Sequence, residues 1–302
     1  MLSMLFKDQF LEFGKSIKWY FTHFFIVYNE QVITQCASKN SDYKMRSKGI
    51  RTIIIGANVG GFIMTRQRKW VLLYVIAFLI MIAINYLSGS NIGNIAEDKQ
   101  AMIQPAGFAF AIWGLIYVLI LAWLIKLLMI RSHNKKIVSR LKYLPIINFL
   151  LNSAWIIVYT QQWFLVSVIV ILALLYNIAR MYVILSDYRG YNRLPFSIYF
   201  GWTTVATIVN IFSLALNNHI QTIFGLDELS WTMIALILAT IIGIFIAISF
   251  KDWLYPLVLI WPFYGIYIEN NNYYLSLDVT LITASLLLFI TAIIVVVRMK
   301  KS

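Results

Sequence analysis

Apolar residues run along this chain in long unbroken stretches, separated by short polar connections that carry nearly all of the charge. Eight stretches fall near residues 71–87, 106–128, 143–160, 163–185, 195–217, 230–250, 253–268 and 279–297. A helix needs about 17–25 apolar residues to cross a bilayer, so each stretch reads as a membrane span. The seventh is the shortest, and Pro256 and Pro262 predict a kink in it. Helices are expected because lipid leaves no water to satisfy backbone polar groups, and the alternating pattern of an outer-membrane barrel is absent. The pattern therefore predicts an all-α integral membrane protein with about eight transmembrane helices.

Residues 1–70 break the pattern. They hold eleven of the Lys and Arg residues, an aromatic stretch (WYFTHFFIVY, 19–28) and the short apolar run TIIIGANVGGFIM (52–64). That run is too short to span comfortably, although Gly56 and Gly60 make a GxxxG that suits close helix packing. The segment reads as a basic cytoplasmic or interfacial extension.

Composition agrees with a lipid-solvated chain: 61% of the 302 residues are hydrophobic and 12% charged, and mean hydropathy is +0.78. The net charge of +13 does not indicate nucleic acid, because the bases sit in short connections rather than on a soluble basic surface. Their distribution orients the chain instead. Lys126, Arg131, Lys135, Lys136, Arg140, Lys142, Arg189, Arg193, Lys251, Arg298, Lys300 and Lys301 fall on one side of an eight-span arrangement. Glu97, Asp98, Asp227, Glu228, Glu269 and Asp278 fall on the other, with Lys99 the single base there. The positive-inside rule then places both termini in the cytoplasm. The lone Cys36 excludes an internal disulfide, and His23, His133 and His219 lie outside the apolar runs, so a buried metal site is not expected. No cleavable signal peptide is expected from the first residues, which build no sustained apolar core.

Candidate chemistry is aromatic and amide. Phe110, Trp113 and Tyr117 lie at i, i+3 and i+7 on the second span. Asn148, Asn152 and Trp155 lie at i, i+4 and i+7 on the third, and Trp202, Ala206 and Asn210 at i, i+4 and i+8 on the fifth. Each set shares one helix face. Stacking surface beside a few amides suits a planar, mostly apolar ligand. The plainer reading of the same residues is structural: intramembrane Asn joins helices, and Trp70, Trp163, Trp231 and Trp253 near span ends read as interfacial anchors.

These residues stand in NYLSGSNIGNI (85–94), QPAGFAFAIWGLIYVLI (104–120), NFLLNSAWIIVY (148–158) and PFSIYFGWTTVATIVN (195–210). In that order, the segments resemble the TspO/MBR, or tryptophan-rich sensory protein, family. Pro105, Gly107, Phe110, Trp113 and Tyr117 match its second-helix signature, Asn152 and Trp155 its third-helix element, and Trp202, Ala206 and Asn210 its fifth-helix element. The resemblance covers residues 71–217 and implies a five-helix bundle, often a homodimer, that binds porphyrins and similar flat hydrophobic molecules. Residues 218–302 read as an additional three-helix segment, as in the longer bacterial branch of the family, which implies a bacterial cytoplasmic membrane. The porphyrin-like ligand would be held by Pro105, Gly107, Phe110, Trp113, Tyr117, Asn148, Asn152, Trp155, Trp202, Ala206 and Asn210. No cofactor is required.

The chain departs from the family in two places. The fifth span ends in SLALNNHIQ (213–221), which lacks the Tyr and base of the family's sterol-recognition motif, and Pro195 and Trp202 lie further apart than usual. No catalytic constellation is visible: no buried carboxylate pair, Ser-His or Cys-His arrangement, HExxH or phosphate-binding glycine loop. Arg180 is the ionisable residue deepest in an apolar run, and it lies near a helix end from which it can snorkel. A receptor or sensor of a planar hydrophobic ligand is the leading expectation. A transporter of a small hydrophobic or amphipathic solute is the alternative, and light- or oxygen-dependent porphyrin degradation is a possibility that comes from the family alone.

Overall fold

The computed structural model of the protein describes residues 66–89, 101–129, 132–188, 190–220, 222–270 and 273–301. The N-terminal extension, with its GxxxG at Gly56 and Gly60, therefore lies outside the described residues, as do Cys36, His23, Glu97, Asp98 and Lys99. The described residues belong to one compact unit, Phe62–Ser302.

Among them the chain forms helices and no strand. The order is α1 (Arg66–Gly89), a 3-10 turn (Gly107–Ala111), α2 (Ile112–Leu128), α3 (Ser132–Leu141), α4 (Leu144–Thr160), α5 (Phe164–Ser186), a second 3-10 turn (Gly190–Asn192), α6 (Leu194–Asn217), α7 (Glu228–Phe250), α8 (Leu254–Asn270) and α9 (Leu275–Lys301). All eight apolar stretches form helices close to their predicted bounds. Six segments are long and apolar enough to cross a membrane: Arg66–Ser88, Gly107–Leu128, Phe164–Ser186, Gly190–Asn217, Glu228–Phe250 and Leu275–Lys300. A seventh is the bent pair of α3 and α4, which meet at 59°. The 17 residues of α8 measure about 25 Å at 1.5 Å per residue, against about 30 Å of hydrocarbon. Length and composition thus establish six to seven spans. The protein is an all-α, multi-pass integral membrane protein.

Local sequence explains the helix ends. Pro145 and Pro195 sit in the first turns of α4 and α6, where a missing N–H costs nothing. Asp227 caps α7 by accepting from the Ser230 N–H at 2.9 Å. Hydrogen bonds from the Ser230 side chain and then from its N–H hold the exposed Asp227 carboxyl below the ordinary carboxylate range. At the other end of α7, Lys251 turns left-handed (φ 50°), and Asp252 then accepts from the Leu254 and Tyr255 N–H groups to start α8. Pro262 is accommodated inside α8.

Packing forms two large apolar clusters, both drawing on α6, and a small third one of Trp155, Ile156 and Ile171. One large cluster joins α1, α2, α4, α5 and α6 around Tyr74, Ile116, Trp123, Phe149 and Trp202. The other joins α6 to α7, α8 and α9 around Val205, Leu236, Leu259 and Leu288. Glycine brings α6 and α8 together: a Cβ on Gly201 would lie 2.9 Å from Val258 Cγ1. Facing outward are Leu79, Ile169, Phe245 and Leu286, as lipid tails rather than water would solvate them.

Contacts also identify the two ends of the bundle. At one end, Lys126 Nζ donates to Asn192 Oδ1 at 2.9 Å, Arg140 pairs with Asp187, and Tyr74 donates to the Lys142 carbonyl. At the other, the Met102 N–H donates to Glu228 Oε1 at 2.6 Å, and Asn270 Nδ2 donates to the Met102 carbonyl at 3.0 Å. Helix direction sorts the described charges accordingly. The first end holds the bases with Asp187 and Asp252, and the second holds Asp227, Glu228, Glu269 and Asp278.

Candidate functional site

Trp113 is the centre of an aromatic nest built by α2, α4 and α6. Its ring lies 5.7 Å from Tyr117 and 5.9 Å from Trp155, tilted 29° and 34° respectively. Tyr199 meets it nearly edge-on at 5.8 Å and Trp202 at 6.3 Å. Phe110 reaches the same nest through Trp202, with an edge contact at 5.7 Å, and Trp155 continues it to Tyr159 at 5.6 Å. Offset and edge-on pairs are the arrangements that ring quadrupoles favour. Trp202 and Trp155 are buried, whereas Phe110, Trp113 and Tyr117 are half-buried, so one side of the nest is left open. Ala206 packs half-buried against the small cluster of Trp155, Ile156 and Ile171, as do Trp113 and Tyr159.

A chain of polar groups runs beside the rings. Tyr117 donates to Asn85 Oδ1 at 2.9 Å, Asn85 Nδ2 donates to Asn152 Oδ1 at 2.9 Å, and Asn152 Nδ2 donates to the Tyr199 hydroxyl at 3.1 Å. Four helices, α1, α2, α4 and α6, are joined by these bonds. A second chain passes from Trp155 Nε1 to Asn210 Oδ1 at 2.9 Å, and from Asn210 Nδ2 to Ser167 Oγ at 2.8 Å. A third joins Asn148 Nδ2 to Asn177 Oδ1 at 3.1 Å. Polar side chains in hydrocarbon find partners in this way because the alternative is an unsatisfied group. Two buried atoms in this region have no partner among the described residues: Trp202 Nε1 and Asn148 Oδ1.

Pro105 and Gly107 stand outside the nest. The segment before α2 docks instead on α8, where the Ala106 N–H donates to the Gly265 carbonyl at 3.1 Å and Trp261 Nε1 donates to the Ala109 carbonyl at 2.8 Å. A Cβ on Gly265 would lie 2.8 Å from Pro105 Cβ and 3.1 Å from Ala109 Cβ; only glycine allows this approach. Phe108 meets Trp261 edge-on at 5.4 Å, and Gly107 is exposed at the start of the 3-10 turn. The helix α8 thus fixes the chain that leads into Phe110 and Trp113.

Asp252 was not foreseen from sequence as a buried residue. It accepts from Ser197 at 2.6 Å and Tyr182 at 2.7 Å, and its Oδ2 lies 3.7 Å from Arg193 Nε, with both side chains buried. Arg193 also donates to the Phe250 and Lys251 carbonyls at 2.8 and 3.1 Å. Every strong donor here has an acceptor, which is what a buried ion pair needs. It joins α5 and α6 to the α7–α8 turn, and none of the aromatic nest residues takes part. Arg180 is exposed and donates to the Tyr176 hydroxyl at 2.9 Å.

The structure therefore brings together Phe110, Trp113, Tyr117, Asn152, Trp155 and Trp202 as sequence spacing anticipated. Asn210 and Ala206 lie immediately behind, Asn148 pairs with Asn177 on its own, and Pro105 and Gly107 face α8. Sequence reasoning missed Asn85, Ser167, Asn177 and Tyr199. Asn85 and Tyr199 were visible as polar atoms inside quoted motifs, and Tyr199 falls three residues before Trp202 on the same face. Among the described residues no group of His, Cys, Asp and Glu is arranged to hold a metal ion.

Neither a curated protein nor a solved structure matches the chain. A family model does, and its description is "TSPO-like protein". The match runs over residues 69–297, from the start of α1 into the last turns of α9, so it takes in the three final helices as well as the aromatic nest. On that match, and with the membrane-spanning helices in place, the chain belongs to the TSPO-like protein family.

Proposed function

We propose that the protein is a membrane receptor or sensor for a planar, mostly apolar ligand of the porphyrin type, bound at the Trp113 nest. The observation that carries the proposal is the meeting of six aromatic rings, Phe110, Trp113, Tyr117, Trp155, Tyr199 and Trp202, three of them half-buried and the group flanked by paired amides. Ring faces supply dispersion and stacking to a flat molecule, and a low-dielectric surround strengthens the few polar contacts it makes. Trp202 Nε1 adds a donor that can meet a ligand acceptor without breaking an existing bond. The paired amides of Asn85 and Asn152 hold α1 and α4 in register beside the rings, which supports a site organised before ligand arrives.

The test is a titration of purified protein in detergent with protoporphyrin IX, following tryptophan fluorescence and the porphyrin absorption band in the dark and after illumination. Saturable quenching near one ligand per chain is expected, with no loss of porphyrin in the dark. Non-saturable quenching with folded protein would refute binding, and light-dependent bleaching would favour degradation over sensing. A carrier of such a molecule is the alternative reading, although α8 runs unbroken through Pro262 and so lacks the interrupted helix that transport sites often use. Porphyrin uptake into proteoliposomes that saturates with concentration would establish it.

A further inference from the structure

The short helix α3 lies outside the aromatic nest, and the receptor reading does not use it. Its sequence, SHNKKIVSRL, has one apolar face: Ile137, Val138 and Leu141 are fully buried against the bundle. Lys135, Lys136, Ser139 and Arg140 face out, followed by exposed Lys142 and Tyr143. Three contacts hold the helix in place. Asn134 Nδ2 donates to the Lys126 and Met129 carbonyls at 2.7 and 2.8 Å, which fixes its start. Tyr74 donates to the Lys142 carbonyl, and Arg140 bonds Asp187 at 2.6 Å while lying over the Tyr188 ring.

The bend of 59° to α4 inclines α3 strongly to the span that follows it, as for a helix lying along the surface at the end of a bundle. The described acids at this end, Asp187 and Asp252, are engaged. Asp187 is paired with Arg140, and Asp252 is buried against Arg193. Among the described residues no acidic side chain pairs with Lys135, Lys136 or Lys142. Three lysines on an outward-facing strip, beside an exposed tyrosine, present the charge complementary to anionic lipid.

We propose that the outward face of α3 is a binding surface for anionic phospholipid headgroups, with Lys135, Lys136 and Lys142 receiving the phosphates. Its apolar face belongs to the protein, so lipid contact here is electrostatic and needs no insertion of the helix. Each lysine near an anionic lipid surface contributes about fivefold in affinity.

The experiment is native mass spectrometry of the full chain, released from detergent with equal phosphatidylglycerol and phosphatidylcholine, alongside thermal unfolding in each lipid. The wild type should retain phosphatidylglycerol preferentially and unfold at higher temperature with it. The triple variant Lys135→Gln/Lys136→Gln/Lys142→Gln should lose that preference by about tenfold or more and lose the thermal shift. The charge-matched variant Lys251→Gln/Arg298→Gln/Lys300→Gln, at the same end but away from α3, should keep both. The proposal is overturned if the α3 variant keeps its preference, or if both variants lose it equally, which would show diffuse charge rather than a surface on α3. All these substitutions are at exposed positions, so the folding of each variant can be checked by circular dichroism before lipid is added.

Discussion

Asn152 is the joint of the polar chain beside the aromatic nest, and its removal has a calculable consequence. The side chain is fully buried, accepts from Asn85 Nδ2 at 2.9 Å and donates to the Tyr199 hydroxyl at 3.1 Å. Asn152→Ala breaks both bonds. Asn85 keeps its bonds to the Met81 carbonyl and Tyr117, but the Tyr199 hydroxyl, also buried, is left without a partner. Hydrogen bonds between membrane helices average about 0.6 kcal/mol and reach about 1.7 kcal/mol, less than burial alone suggests, because the unfolded chain in a membrane also finds partners. Two bonds lost therefore cost about 1–3 kcal/mol. Tyr199→Phe breaks one of them and should cost about half as much. The double variant should cost less than the sum, leaving a coupling energy of about 0.5–1.5 kcal/mol for the Asn152–Tyr199 pair. Reversible unfolding in mixed micelles of increasing denaturing-detergent fraction, followed by far-ultraviolet circular dichroism, measures all four corners of the cycle. A coupling below about 0.3 kcal/mol would mean that the bond does not hold α4 to α6. A loss of ligand binding in Asn152→Ala larger than its loss of stability would show that the amide also touches ligand.

Asp252→Ala removes the partner of a buried guanidinium and the cap of α8, at a cost of about 4–6 kcal/mol; Arg193→Met/Asp252→Leu should be less costly than Asp252→Ala in the same unfolding assay. Gly265→Val places new carbon within 2.8 Å of Pro105 Cβ, a clash worth about 1–3 kcal/mol, and should speed hydrogen exchange of the Ala106 amide; unchanged protection would mean α8 does not secure the entry to α2. Asp227 has a folded-state pKa below its ordinary value of about 3.9. Its support of α7 is therefore complete above that value and lost as pH falls through the lowered one, read as faster exchange at the Ser230 amide. Asp227→Asn should remove the pH dependence.

The apolar helices were legible because lipid demands uninterrupted apolar stretches, and the described bases gather at one end of the bundle with Asp187 and Asp252 the acids beside them. The aromatic nest was legible for a related reason: Phe110, Trp113 and Tyr117, and likewise Asn152 and Trp155, repeat at helical spacing, and a repeat on one face survives into three dimensions. What escaped was set by contacts between distant segments. Pro105 looked like part of the site from its place before the aromatic face, but its position depends on Gly265, far along the chain. Asp252 went unremarked beside Lys251, since nothing local places it against Arg193 and Tyr182. The helix α3 was hidden in a basic connection because only Ile137, Val138 and Leu141 mark its buried side, too few to stand out from a charged loop.

The most direct test of the account is the protoporphyrin IX titration carried out on Trp113→Ala beside Trp163→Phe. Trp113 is half-buried at the centre of the nest, while Trp163 is 61% exposed before α5 and remote from it. The account predicts wild-type affinity for Trp163→Phe and a weakening of about tenfold or more for Trp113→Ala, the loss of roughly 1.4 kcal/mol or more of stacking and contact, with both variants folded. Equal affinity in the wild type and in folded Trp113→Ala would contradict it, and would place ligand binding, if any, elsewhere in the bundle.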